Sequence, residues 1–162
     1  MDCRGRESPF LLVMKRLDPM SGSPFTGAWM FHSEWSKLTT SPPRSWIVRI
    51  EATSDGVNER AVVVGSDGAL TVVTIHARFD GKDYPVTGSP LADTIAYTRV
   101  DAHHILGIAK KNGCISIRES VATSPEGHIL TLTYSIYGDV QEVANGIAVF
   151  ERAVGDSILS VA

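Results

Sequence analysis

One acidic residue, Glu119, shares a face of a predicted strand with apolar residues. The segment 114–123 alternates as a β-strand does, and Glu119 falls on the same side as Ile117. If that side faces the interior, desolvation raises the pKa of the Glu119 carboxyl and makes it a general acid or base near neutral pH. The residues alone leave two alternatives open: the opposite side faces inward, or Glu119 pairs with Arg99 or Arg118.

Three further polar residues could act together with Glu119. Tyr97 and Arg99 share one face of a predicted strand, and Tyr134 lies on the apolar face of another. In a cavity that excludes water, hydroxyl and guanidinium groups stabilise developing negative charge. This set predicts a cofactor-independent enzyme of the isomerase, cyclase, lyase or epoxide hydrolase type, with Glu119, Tyr134 and Arg99 as catalytic residues.

Small side chains predict a thin wall, with unfilled space beside it, at 105–109 of the predicted strand 105–111. Ile105, Gly107 and Ala109 share one face of that strand. An unfilled apolar space costs about 24 cal/mol per Å3, so a protein that keeps one is expected to use it for a ligand. The alternative is that a bulky neighbour such as Trp46 fills the space. The predicted ligand-binding residues are Trp46, Phe79, Tyr97, Gly107, Ala109, Leu132 and Tyr134.

Turn signals recur about every ten residues after position 25, and the runs between them are rich in Val, Ile, Thr and Tyr. Consecutive strands joined by short turns are expected to pair antiparallel, and a meander of such strands avoids exposed edges by closing on itself. The fold class predicted is an all-β, antiparallel up-and-down β-barrel of about 8–10 strands with one short helical turn near the N-terminus, at 33–37. The predicted strands are 26–31, 45–52, 58–65, 69–79, 93–100, 105–111, 114–123, 128–137 and 143–152. The segment 79–93 is expected to form a flap over one end of the barrel.

Several segments resemble small bacterial lipocalin-like proteins. The likeness rests on Phe-Thr-Gly-Ala-Trp at 25–29, on the long stretch 79–90, and on Ser-Pro-Glu-Gly at 124–127. It implies an up-and-down β-barrel of the calycin type, spanning residues 24–154, with a ligand cavity. It also implies that Trp29 closes the base of the barrel under an arginine, either Arg152 or Arg99. Residues 1–23 are then an N-terminal extension, and 155–162 a C-terminal tail.

Composition narrows the classes of function. The chain has 162 residues and a net charge of -3 with no basic run, which argues against nucleic acid as a partner. No apolar run approaches the ~20 residues that span a bilayer, and no Cys or His cluster has metal-site spacing. Phosphate-binding glycine loops are absent from the sequence, so no cofactor and no metal are predicted. With no signal peptide seen, the expected location is the cytoplasm.

The residues support two main hypotheses and a third. The first is a module that binds a small, mostly apolar molecule in the barrel. The second is the acid–base enzyme described above, acting on a small hydrophobic substrate in the same cavity. The third is a filled barrel that works through its surface, where outward Thr, Val and Ile side chains would support a homodimer.

Overall fold

The computed structural model describes residues 22–139 and 141–154. The strands are β1 (Gly27–Phe31), β2 (Lys37–Leu38), β3 (Ser45–Ala52), β4 (Gly56–Val64), β5 (Leu70–Arg78), β6 (Tyr84–Thr87), β7 (Thr94–Asp101), β8 (His104–Lys111), β9 (Cys114–Thr123), β10 (Ile129–Tyr137) and β11 (Glu142–Arg152). A single turn of 3-10 helix, Ser33–Trp35, lies between β1 and β2, which confirms the predicted helical turn.

The strands form a closed antiparallel barrel, which confirms the predicted fold class. From β3 to β11 each strand pairs with the next one in the chain, and β1 pairs with both β3 and β11 to close a ring of ten. The short strand β2 continues along β11 beyond β1, where Leu38 lies opposite Gly146. Closure leaves no long unpaired edge for another chain to join.

Alternate residues of each strand fill the barrel, as the period of two requires. The predicted inward residues Val48, Ile50, Ile75 and Ala77 are all buried, whereas His76 is exposed. The core comprises Phe25, Trp29, Val48, Ile50, Val57, Ala61, Ile75, Ala77, Ala92, Ile95, Tyr97, Ile105, Ala109, Leu130, Ala148 and Phe150. Trp29 and Phe150 are the largest fully buried side chains in the described part of the chain.

Trp29 closes one end of the barrel, as the resemblance implies. Its indole Nε1 donates a hydrogen bond to Phe25 O at 2.9 Å, and the Arg152 guanidinium carbon lies 4.3 Å from the centre of the Trp29 ring. The arginine over the tryptophan is therefore Arg152 and not Arg99. A cation over an indole face adds electrostatic attraction to the packing.

Arg152 also ties the first described residues to the barrel. Its three guanidinium nitrogens donate to the carbonyl oxygens of Gly127 at 2.6 Å, Thr26 at 2.6 Å and Pro24 at 2.7 Å. Because these acceptors belong to the β9–β10 turn and to the segment before β1, one side chain holds both against the closed end.

The expectation of a flap at 79–93 is wrong. Strand β6 lies within this segment and pairs with β5 through Val86 and with β7 through Tyr84. The segment is therefore part of the barrel wall, flanked by two short connections. The predicted tail 155–162 and most of the predicted extension 1–23 lie outside the described residues, so those boundaries stay predictions.

Candidate interior acid site

A band of inward-facing residues crosses five neighbouring strands. The register pairs Tyr97 with Gly107, Gly107 with Glu119, Glu119 with Tyr134, and Tyr134 with Gly146. Two glycines therefore alternate with three large polar side chains. The band contains the predicted catalytic residues Glu119 and Tyr134, side by side on β9 and β10.

The glycines provide room for their neighbours. A Cβ atom at Gly107 would lie 2.8 Å from Glu119 Cγ and 3.0 Å from Tyr97 Cε1, both closer than ordinary van der Waals contact. A Cβ atom at Gly146 would lie 2.6 Å from the Tyr134 hydroxyl oxygen. Glu119 and Tyr97 thus lie over the bare backbone of β8, and Tyr134 lies over that of β11. The space predicted beside this thin strand is therefore occupied in part by polar side chains.

A second carboxyl, Glu59 of β4, reaches the same place from another side of the barrel. The Tyr97 hydroxyl donates a hydrogen bond to Glu59 Oε2 at 3.2 Å, although β4 and β7 are not adjacent strands. Sequence analysis missed Glu59. The signal was available, because Glu59 shares one face of β4 with the buried residues Val57 and Ala61. This is the same pattern that drew attention to Glu119. We call Glu59, Tyr97 and Glu119 the acid cluster.

Burial dominates the electrostatics of the acid cluster. Desolvation, together with the negative charge of Glu59, raises the pKa of Glu119 to about 8, and hydrogen bonding to Tyr97 offsets part of this. Desolvation also raises the pKa of Glu59, again with an opposing contribution from Tyr97. The pKa of Tyr97 is well above its ordinary value because of burial and the two nearby carboxyls. The predicted shift at Glu119 therefore has the expected direction and main cause.

Glu59 and Glu119 keep some accessible surface. Both are enclosed by protein atoms, yet their exposed fractions are intermediate. A side chain in a filled core loses all of its accessible surface, as Trp29 does at 0% exposure. The same partial exposure holds for the inward-facing Leu132 and Tyr134. Partial exposure of inward-facing side chains is compatible with a barrel whose interior could admit a small ligand.

Two other predicted ligand-binding residues also face inward. Ala109 is 1% exposed. Trp46 packs edge-on against Phe150, with ring centres 4.9 Å apart. It also makes a tilted contact with Phe31 at 5.8 Å, which places it beside β1 and β11. Its indole Nε1 is buried and has no hydrogen-bond partner in the described chain. A buried donor left unpaired costs free energy that an acceptor would recover.

Arg99 and Phe79 lie apart from the acid cluster. Arg99 Nε donates to the backbone oxygen of Asp101 at 3.2 Å, so the guanidinium is engaged at the end of β7 and not with Glu119. Phe79 directly follows β5, at the end of the barrel that Trp29 closes, and packs at the edge of the core. The roles predicted for these two residues stay predictions.

An open groove of about 390 Å3 lies elsewhere, beside the β3–β4 turn. It is lined by Glu51, Thr53, Asp55, Gly56, Val57, Asn58, His76, Ala77, Arg78 and Tyr84. None of the predicted site residues lines it, and its outward side chains are polar. It is therefore distinct from the interior band that carries Glu119.

The histidines do not form a metal centre. Within residues 22–139 and 141–154, no group of three or more His, Cys, Asp or Glu side chains could hold a metal ion. His103 Nδ1 lies 2.9 Å from Thr123 Oγ1, and His104 Nε2 lies 2.6 Å from Ser120 Oγ. Each histidine thus contacts a hydroxyl of β9 instead of its neighbour.

No protein-family model matches the chain, and no curated protein matches it either. The likeness to lipocalins therefore rests on the fold, a closed antiparallel barrel consistent with that class. In the described part of the chain, no helix is both long enough and apolar enough to cross a membrane.

Proposed function

We propose that the barrel interior binds a small, mostly apolar molecule and that the acid cluster holds its polar end. The observation that carries this proposal is the position of Glu119, which faces inward, is partly accessible and lies beside Tyr134 and the bare backbone of Gly107. Ligand pockets are typically apolar with a few polar groups that orient the ligand. Glu119, Tyr97 and Tyr134 would be those groups here.

Energetics support a functional reason for the acid cluster. Burial of a carboxyl in apolar surroundings opposes its ionisation and costs stability. Glu119 forms no ion pair in the described residues that would offset this cost. Strongly shifted groups in a concave site are typical of functional residues. The buried, unpartnered indole Nε1 of Trp46 would gain a hydrogen bond from an acceptor on the same ligand.

Fluorescence of the uncharged probe N-phenyl-1-naphthylamine tests the proposal. We expect enhanced emission with the wild-type protein at pH 6, and loss of that emission in Leu132→Trp, which adds bulk on the inward face of β10. The matched control is Thr133→Trp, because Thr133 is the next residue on the same strand and is exposed. Equal binding by both variants, or no binding by the wild type, would contradict an interior site.

A second candidate is an acid–base enzyme in the same interior, favoured by the pKa of about 8 at Glu119. Acid–base catalysis is most effective when the pKa lies near the working pH. A protonated carboxyl beside a tyrosine hydroxyl can also stabilise an oxyanion. Glu119 would exchange the proton, and Tyr97 and Tyr134 would stabilise the negative charge.

The variant Glu119→Gln distinguishes the enzyme hypothesis from the binding hypothesis. Small epoxides and enolisable ketones would be incubated with the protein, and conversion followed by mass spectrometry. For the enzyme, we expect Glu119→Gln to abolish conversion while probe binding persists, and Glu151→Gln, which changes an exposed carboxyl, to leave conversion unchanged. Unchanged turnover in Glu119→Gln would remove this residue from the mechanism.

A further inference from the structure

Among the residues that the structure describes, no cationic side chain contributes to the pKa of Glu119. The neighbouring strand β8 presents Gly107, which has no side chain, and β10 presents Tyr134. From β7 comes Tyr97, and the next inward position on that strand is Arg99, whose Nε hydrogen-bonds to a backbone oxygen at the strand end. The groups that strands β7, β8 and β10 present to Glu119 are therefore two tyrosines and the bare backbone of a glycine.

Within the described part of the chain, no cationic side chain contributes to the pKa of Glu59 either. The strands on either side of β4 present Ile50 and Ile75, and both are buried and apolar. The groups that face Glu59 across the interior are Tyr97, which donates its hydroxyl proton at 3.2 Å, and the carboxyl of Glu119. The charge of Glu59 is the one that acts on the pKa of Glu119.

Two carboxylates in this setting repel each other strongly. Like charges in a poorly solvated interior interact much more than in water, and such a pair loses its protons in two separate steps. Burial and the charge of Glu59 accordingly raise the pKa of Glu119 to about 8. At neutral pH the acid cluster therefore retains a proton that neither carboxyl would hold at the surface.

We propose that the interior site is coupled to this retained proton: an uncharged ligand binds while Glu119 is protonated and is released when the proton leaves to solvent. This regulation rests on the proposed binding function. Ionisation of Glu119 places a negative charge in the interior, beside Glu59, and draws water towards it. An apolar molecule displaces that water, so its binding and the charged form of the cluster exclude each other.

The dissociation constant of N-phenyl-1-naphthylamine, measured from pH 5 to pH 9, tests the coupling. If only the protonated form binds, a group with a pKa of about 8 weakens apparent affinity about tenfold between pH 6 and pH 9. In Glu119→Gln the step near pH 8 should disappear, whereas Glu151→Gln should keep it. Binding with a flat wild-type profile overturns the coupling alone, and absence of binding at every pH overturns the binding function as well.

Calorimetry of the wild-type protein gives a second readout that needs no variant to fold. Titration of the same probe at pH 8 in phosphate and in Tris, whose ionisation enthalpies differ, counts the protons exchanged on binding. The coupling predicts uptake of about half a proton per probe molecule, since Glu119 is half ionised at a pH equal to its pKa. An equal enthalpy of binding in the two buffers would contradict it.

Discussion

Replacing Glu119 by glutamine should change how the stability of the barrel depends on pH. The pKa of Glu119 rises from the ordinary 4.5 to about 8 on folding, with burial as the largest cause. The folded protein therefore binds a proton that the unfolded chain has lost, and stability falls as pH rises between these values. The stability that this bound proton contributes is fully present below about pH 4.5 and is lost by about pH 8. Glutamine cannot ionise and removes this dependence.

The size of the effect follows from the shift in pKa. Each unit corresponds to about 1.4 kcal/mol, and between pH 5 and pH 8 linkage converts the shift at Glu119 into about 3 kcal/mol. Wild-type protein should thus lose about 3 kcal/mol more stability over this interval than Glu119→Gln. Ionisation of Glu59 acts in the same direction in both proteins. Loss of the repulsion between the two carboxyls in Glu119→Gln also acts in that direction, so the difference reports Glu119 together with its coupling to Glu59.

Urea unfolding at pH 5 and pH 8 measures the loss of stability with pH in the wild type and in Glu119→Gln. The midpoint should fall with pH in the wild type and fall much less in Glu119→Gln, at similar slopes of free energy against urea. The control is Glu151→Gln, in which the carboxyl removed is exposed on β11. Parallel pH profiles for wild type and Glu119→Gln would refute the reasoning, because they would mean that Glu119 is solvated.

Three further changes follow from the same contacts. Gly107→Ala should cost about 1–3 kcal/mol of unfolding free energy by urea, because its Cβ would lie 2.8 Å from Glu119 Cγ; an unchanged midpoint would contradict this packing. Arg152→Met should cost about 3 kcal/mol or more, since it removes three charged hydrogen bonds, and a melting temperature equal to that of Glu151→Gln would refute it. Tyr97→Phe should raise the pKa of Glu119 further, because the hydroxyl favours the ionised carboxyl, and the alkaline fall in stability should move to higher pH; a move to lower pH would contradict that role.

Most of the barrel could be predicted from local patterns. The alternation around Val73, Ile75 and Ala77 assigned the inward face of β5 correctly. The same rule placed Glu119 on one face with Ile117 but left open which face of β9 points inward. Strand β6 was missed because it has only four residues and contains Pro85, which removes a backbone donor. Its pairing is decided by the neighbouring strands and not by its own composition.

The acid cluster could be predicted only in part. Glu119 was predicted to be alone, or to pair with an arginine, because sequence patterns describe one strand at a time. The contact between Tyr97 and Glu59 joins residues 38 positions apart on strands that are not adjacent. It exists because the sheet closes, and closure depends on the shear and tilt of all ten strands. Arg99 was assigned to the right face of β7, but its position near the strand end directs it to Asp101.

The most direct test is a titration of the glutamate carboxyl carbons by 13C NMR in the ligand-free protein, with Glu119→Gln and Glu59→Gln used for assignment. An interior acid cluster predicts a Glu119 resonance that titrates near pH 8, with a response at Glu59 in the same range because the two groups are coupled. A Glu119 resonance that titrates near pH 4.5 and independently of Glu59 would show a solvated carboxyl, and would contradict the binding site, its proton coupling and the catalytic alternative together.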